Sequence, residues 1–184
     1  MKTQKFEIVT ALSEIAWTGK KVTGAHDGTI GIKEGSLTLK DNQLVAGKII
    51  IDTTTIRILD IADPAMNAQF AGHLASDDFF SSAKYPTAVL EFISVEMKSE
   101  TQYEITGNLT IKGITHPAFL DAELIIFGYN LHASAKMMVD RTHYNMRFRS
   151  GNFFQNLGDT LIYDAFDLNM IIAAVAVKTG VVAY

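Results

Sequence analysis

The feature that most constrains this chain is a two-residue apolar period broken by a single helix-like segment. Ile30 and Ile32, Leu37 and Leu39, Ile49 and Ile51, Leu90 and Phe92, Leu109 and Ile111, and Leu124 and Ile126 are each spaced two apart. Alternate side chains of a strand point to opposite faces, so these pairs each mark one face of a half-buried strand. Turn-type residues punctuate the pattern at His26-Asp27-Gly28, Asp41-Asn42 and Ser99–Gln102, and Lys112-Gly113 and His116-Pro117 are expected to flank a tight connection. Gly35 separates two apolar pairs and allows a bend or bulge there. About eight strands at this spacing predict an antiparallel sandwich or barrel, and eight is enough to close around one small ligand.

The interruption is Phe70–Pro86. Met66, Phe70 and Leu74 recur at i, i+4 and i+8, the spacing of one helix face. Asp63-Pro64 is a start signal, because Asp accepts a backbone N–H as N-cap and Pro suits the first helical position. Ser76 offers a second cap, with Asp77 and Asp78 at the positive end of a following turn or short helix. Tyr85-Pro86 ends the segment, since the residue before proline is pushed to an extended backbone. A short helical lid or plug is therefore expected within a β-structure.

Composition limits the chemistry. The 184 residues predict one domain, 1–184, with a sizeable core, and 20% charged residues with only 3 prolines argue against disorder. A net charge of -4 and no basic stripe speak against a nucleic-acid partner. With no cysteine there is no disulfide, thiolate nucleophile or thiolate metal site. Residues 1–17 hold no uninterrupted apolar stretch and read as a first strand running into Trp17. A cytoplasmic chain is expected on that reading, or a periplasmic one if an export signal once preceded Met1. No run of about 18 apolar residues predicts a membrane span, so no stable membrane insertion is expected.

Several motifs together resemble the YceI-like family of bacterial lipid- or polyisoprenoid-binding proteins. They are Trp17-Thr18-Gly19 with Gly24–Gly28, then Gly72-His73-Leu74 with Ser76–Phe80 and Tyr85-Pro86. Gly107–Thr115 with Pro117, Asp140-Arg141-Thr142 and Asp159–Asp167 follow in order. The likeness spans essentially the whole chain. One departure is Asn145, where the family commonly has glycine; Asn tolerates a left-handed backbone, so the turn should survive. The resemblance implies an all-β fold, an antiparallel eight-stranded lipocalin-like β-barrel with a short helical insert after about strand 4. It also implies an apolar interior holding a lipid, and frequent homodimers.

Among polar candidates, His26, His73, His116, His132 and His143 match no metal-ligand spacing. No metal and no cofactor is therefore expected. His73 stands out beside Leu74, either bonding a ligand oxygen or pinning the helix through a neighbouring carbonyl. Asp77 and Asp78 are adjacent, point apart on a helical turn and suit a helix end better than shared proton chemistry. Asp140-Arg141 reads as an ion pair holding a loop. Trp17 and Tyr85 are expected at the barrel ends.

The expected function is non-enzymatic: binding of a long apolar lipid (polyisoprenoid, isoprenoid quinone or fatty chain) for carriage, storage or sequestration. Ligand contacts are expected from Phe70, His73, Leu74, Phe79 and Phe80 of the insert. From inward strand faces, Ile30, Ile32, Ile49, Ile51, Phe92, Leu109, Ile111, Leu124, Ile126, Met138 and Ile171 are expected to join them. The alternatives are an enzyme of isoprenoid or quinone metabolism on the same barrel, and a filled-core dimeric interaction or stress module. Segments apolar on both faces, around Phe119–Phe127 and Ile171-Ile172, suggest contact with the core and with something else, such as a partner subunit or a second layer.

Overall fold

A computed structural model describes residues 1–178. Among these residues nine strands carry the fold: β1 (Thr3–Ile8), β2 (Glu14–Lys21), β3 (Gly24–Lys40), β4 (Gln43–Ile58), β5 (Thr87–Met97), β6 (Gln102–Ile111), β7 (Ile114–Phe127), β8 (Asn130–Asp140) and β9 (Ile162–Ala176). One helix, α1 (Pro64–Ala75), follows β4. Every neighbouring pair is antiparallel, and β3 pairing with both β2 and β4 closes the sheet. Nine strands make an eight-stave barrel because β1 and β2 share one stave. Between them they fill the gap between β3 and β9, β1 against Ser36–Lys40 and Ala174–Ala176, β2 against Gly24–Ile30 and Ile162–Ile171. The single first strand expected over residues 1–17 is thus two strands, broken by a 3-10 turn at Thr10–Leu12.

Local chemistry accounts for the hairpins. Asp41 and Asn42 both have positive φ (50° and 64°) between the paired Lys40 and Gln43, as do Lys112 and Gly113 (52° and 73°) between Ile111 and Ile114. Two left-handed residues match the right-handed twist of the flanking strands. Gly35 falls beside a register shift between Ile32 and Glu34, so the inward face passes from Ile30 and Ile32 to Leu37 and Leu39.

Asp27-Gly28 is not a turn. Both residues lie inside β3, paired with Thr18 and Trp17, and the chain reverses at Val22-Thr23 instead. Gly28 is there for close packing: a Cβ would sit 1.8 Å from the Arg57 carbonyl and 2.5 Å from the Trp17 ring.

The helix begins as its sequence dictates. Asp63 Oδ1 accepts the Met66 N–H at 2.8 Å and Pro64 occupies the first turn. Asn67 Nδ2 donates to the carbonyls of Ile58 and Ile61, binding the helix to the end of β4. It stops at Ala75, well before Tyr85-Pro86, because Ser76 turns back on the His73 carbonyl through both its N–H and its hydroxyl. Turns then lead to β5, held by Ser82 donating to the Thr53 carbonyl and Thr53 donating to the Tyr85 carbonyl. Within the described residues, no helix is long and apolar enough to cross a membrane.

The barrel interior has two halves. Away from α1, Phe6, Leu37, Leu39, Leu44, Ile49, Leu90, Tyr103, Ile105, Leu120, Leu124, Leu131, Met170 and Ile172 are all buried and form a packed core. Nearer α1 the side chains stand apart.

Candidate functional site

That separation leaves a cavity of about 380 Å³ at the helix end of the barrel. Its deepest strand residues are Ile15, Ile30, Ile51, Leu109 and Leu168, where the packed core begins. Phe70 and Leu74 reach it from α1, and Phe79 and Phe80 from the following turn. The helix stripe therefore works by depth: Met66 is 60% exposed, Phe70 half-buried and Leu74 only 8% exposed. Trp17, Phe148 and Phe166, with the thioether of Met146, complete an apolar wall. Trp17 keeps its polar edge out of the cavity's chemistry by donating Nε1–H to the Thr29 carbonyl at 3.2 Å.

Two histidines edge the apolar surface, each held by a carboxylate. His73 Nε2 lies 3.0 Å from Asp78, its ring edge-on to Phe79 and Phe148. His26 Nδ1 lies 2.7 Å from Asp60, its ring packed on Phe70. His73 thus pins the helix to the next turn through a carboxylate and not through a backbone carbonyl. Asp77 accepts from the Ser81 hydroxyl, so neither Asp77 nor Asp78 serves as a helix N-cap.

Arg141 is the buried cation of the site, 3% exposed. It donates to three carbonyls, those of Tyr163 (3.1 Å), Met146 (2.8 Å) and Ile162 (3.0 Å), clamping the loop at Met146 to the start of β9. Its ion pair is with Asp164 at 3.7 Å, correcting the expected pair with Asp140. Burial pulls the guanidinium below its ordinary value, opposed by the charges of Asp164 and Asp140. Asp140 instead caps the next turn by accepting from the Thr142 N–H and hydroxyl. Nearby Tyr144 is buried, which pushes its phenol up to about 12.

The opening lies where the lining becomes exposed, at Lys20, Thr23, Arg149, Asp159 and Thr160. Among the described residues, no group of three or more His, Asp or Glu side chains is arranged to hold a metal ion.

Nine of the residues read from the sequence line the cavity: Phe70, His73, Leu74, Phe79, Phe80, Ile30, Ile51, Leu109 and Ile111. Ile32, Ile49 and Leu124 are buried in the packed half instead, Ile126 packs against it, and the Phe92 ring lies over Gly47. Met138 and Ile171 face outward, 69% and 60% exposed, correcting their inward assignment. Their strands are apolar on both faces, and pairing sets the parity: Met137 and Met170 are the inward members. Ile15, Met146, Phe148 and Phe166 also line the cavity and fall outside the sequence reading, which places Trp17 at a barrel end. Met146 and Phe148 lie in an irregular loop where alternation carries no signal.

A family model of the YceI-like domain matches residues 6–174. The chain belongs to the YceI-like family. Curated relatives include UPF0312 protein plu2095 of Photorhabdus laumondii, 36% identical over 99 residues, and protein YceI of Escherichia coli O157:H7, 34% identical over 98 residues. Each match covers 53% of this chain and 48% of the relative, so the chain spans about half the length of the curated relatives it matches. Burkholderia cenocepacia BcnA superposes with a TM-score of 0.68 at 17% identity, covering 90% of this chain and 98% of that one. A polyisoprenoid binding domain from Saccharophagus degradans superposes with a TM-score of 0.64 at 11% identity, covering 94% and 98%. At these identities the likeness is one of fold.

Proposed function

We propose that this YceI-like barrel binds the apolar chain of a lipid in the cavity under α1 and acts by holding it, without catalysis. The observation that carries the reading is the cavity itself. An otherwise packed barrel leaves about 380 Å³ open behind a wall of Phe, Leu, Ile and Trp side chains. Burying a methylene there contributes about 0.8 kcal/mol, and the volume lies in the range of small-molecule sites. At roughly 30 Å³ for each group of water or methylene size, the enclosed space takes about a dozen carbons. Polyisoprenoids, isoprenoid quinones and fatty chains are the ligand class, with Phe70, His73, Leu74, Phe79, Phe80, Ile30, Ile51, Leu109 and Ile111 as contacts. The polyisoprenoid-binding description of the Saccharophagus domain supports that class.

Solvent extraction of purified protein with mass spectrometry, and uptake of fluorescent fatty or prenyl chains, tests the reading. Stoichiometric lipid or saturable uptake is expected; neither being found sinks it. Leu74→Asp is expected to abolish retention in a protein that still folds, because a carboxylate would face the cavity. If Leu74→Asp only unfolds the protein, the site is core and the reading fails.

A homodimer belongs to the same proposal. Ile125, Phe127, Tyr129, Ile171 and Val175 are exposed on the outer wall near the end opposite the cavity opening. Paired there, two copies would cover apolar surface and leave both openings free. Sedimentation should show a dimer that Phe127→Lys with Ile171→Lys converts to monomer; a wild-type monomer at micromolar concentration overturns it.

A further inference from the structure

The cavity opening has a charge that the whole chain does not share. The net charge is -4, yet the cavity lining includes Lys20, Lys21, Arg141 and Arg149 against one carboxylate, Asp159. Two of these cations are committed: Lys20 pairs with Asp167 at 3.3 Å, and Arg141 is clamped by carbonyls and Asp164. Lys21 and Arg149 form no ion pair among the described residues. They flank one residue, since Lys21 is the β-partner of Ile162 and the Ile162 N–H donates to the Arg149 carbonyl at 2.9 Å. The Arg149 guanidinium lies 5.0 Å from the ring of Phe148, itself part of the cavity wall. Two uncommitted cations thus stand at the rim where a chain lying in the cavity would present its head.

Building on the lipid-binding reading, we propose that the ligand is a single-chain amphiphile with an anionic head, carboxylate or phosphate, held by Lys21 and Arg149. A neutral quinone or alcohol head would leave both cations without a partner. A carboxylate or phosphate takes charge-assisted hydrogen bonds from a guanidinium and an ammonium, and Arg149 offers a planar fork suited to two of its oxygens. Asp159 at the same rim repels a misplaced anion and so favours one seat for the head.

The test compares dodecanoate, dodecyl phosphate and dodecanol below their micellar concentrations, by displacement of a fluorescent probe from the full chain. The readout is the ratio of the alcohol's dissociation constant to that of each anion, which cancels the common tail. In the Lys21→Gln, Arg149→Gln double variant this ratio should fall about ten-fold, whereas Lys33→Gln with Lys48→Gln, on a distant part of the wall, should leave it unchanged. The wild-type ratio should also shrink with added salt, since the rim is open to solvent. A fall for both anions, or for one that then identifies carboxylate or phosphate as the source, supports the proposal. An unchanged ratio in the double variant overturns the anionic head while leaving lipid binding intact. Binding of none of the three ligands overturns the lipid-binding reading itself.

Discussion

Gly28 lacks a side chain because Trp17 and the Arg57 carbonyl occupy the space that a Cβ would fill. A methyl group there must displace the indole from the cavity wall. Gly28→Ala should therefore cost about 1–3 kcal/mol by overpacking, with a shifted Trp17 fluorescence maximum as an independent readout in urea titrations. Asn145 poses the opposite problem. Its φ of 60° and ψ of 31° put it in the left-handed region that favours glycine. Asn145→Gly should change stability by no more than a few tenths of a kcal/mol, while Asn145→Ala should lose about 1 kcal/mol. Both were legible only in part. The resemblance pointed to Asn145 as a left-handed position, but nothing local distinguishes a glycine under an indole from a glycine in a turn.

At the scale of elements, α1 is the piece whose seating shapes the cavity. Asp63 satisfies a free N–H of its first turn, so Asp63→Ala should cost about 1 kcal/mol. Acid should loosen the same region. Burial alone would raise the Asp60 carboxyl, but the His26 ring, the Asp27 N–H and the His26 charge outweigh it and hold the group below its ordinary 3.8. Asp140 behaves alike, with Thr142, His143 and Arg141 offsetting burial. In both cases the unfolded chain takes up protons first. Their stabilisation is complete above the unfolded value and disappears as pH falls through the lower folded values. Urea midpoints should thus fall between pH 5 and 3, and Asp60→Asn should flatten part of that slope; an unchanged slope would show that the His26 tie contributes nothing. The start of α1 was written in Asp63-Pro64. Its end was not, because Ser76 closing on the His73 carbonyl competes with a proline stop ten residues later.

For the whole molecule, the division of the barrel into a packed half and an open half is the central fact. Leu90, Leu131 and Met170 fill one half at 0–2% exposure. Leu131→Ala there should cost about 2–5 kcal/mol through the cavity it leaves, with no direct effect on ligand affinity. Leu109→Ala, at the floor of the open half, should instead enlarge the site and shift preference toward longer chains, measurable in the same displacement assay.

The sequence by itself determined what depends on a few neighbouring residues: the two-residue period of the strands, the left-handed turns at Asp41-Asn42 and Lys112-Gly113, the Asp63 cap and the shift of inward face near Gly35. Tertiary structure decided what depends on distant segments meeting. It chose the inward face of β8 and β9, leaving Met138 and Ile171 outside, and joined β1 and β2 into one stave. It also gave Arg141 to Asp164 and ended the cavity at mid-barrel. Hydrogen bonding and backbone sterics act over one turn of chain, whereas burial depends on which apolar faces come together, and two-sided apolar strands leave that choice to their neighbours.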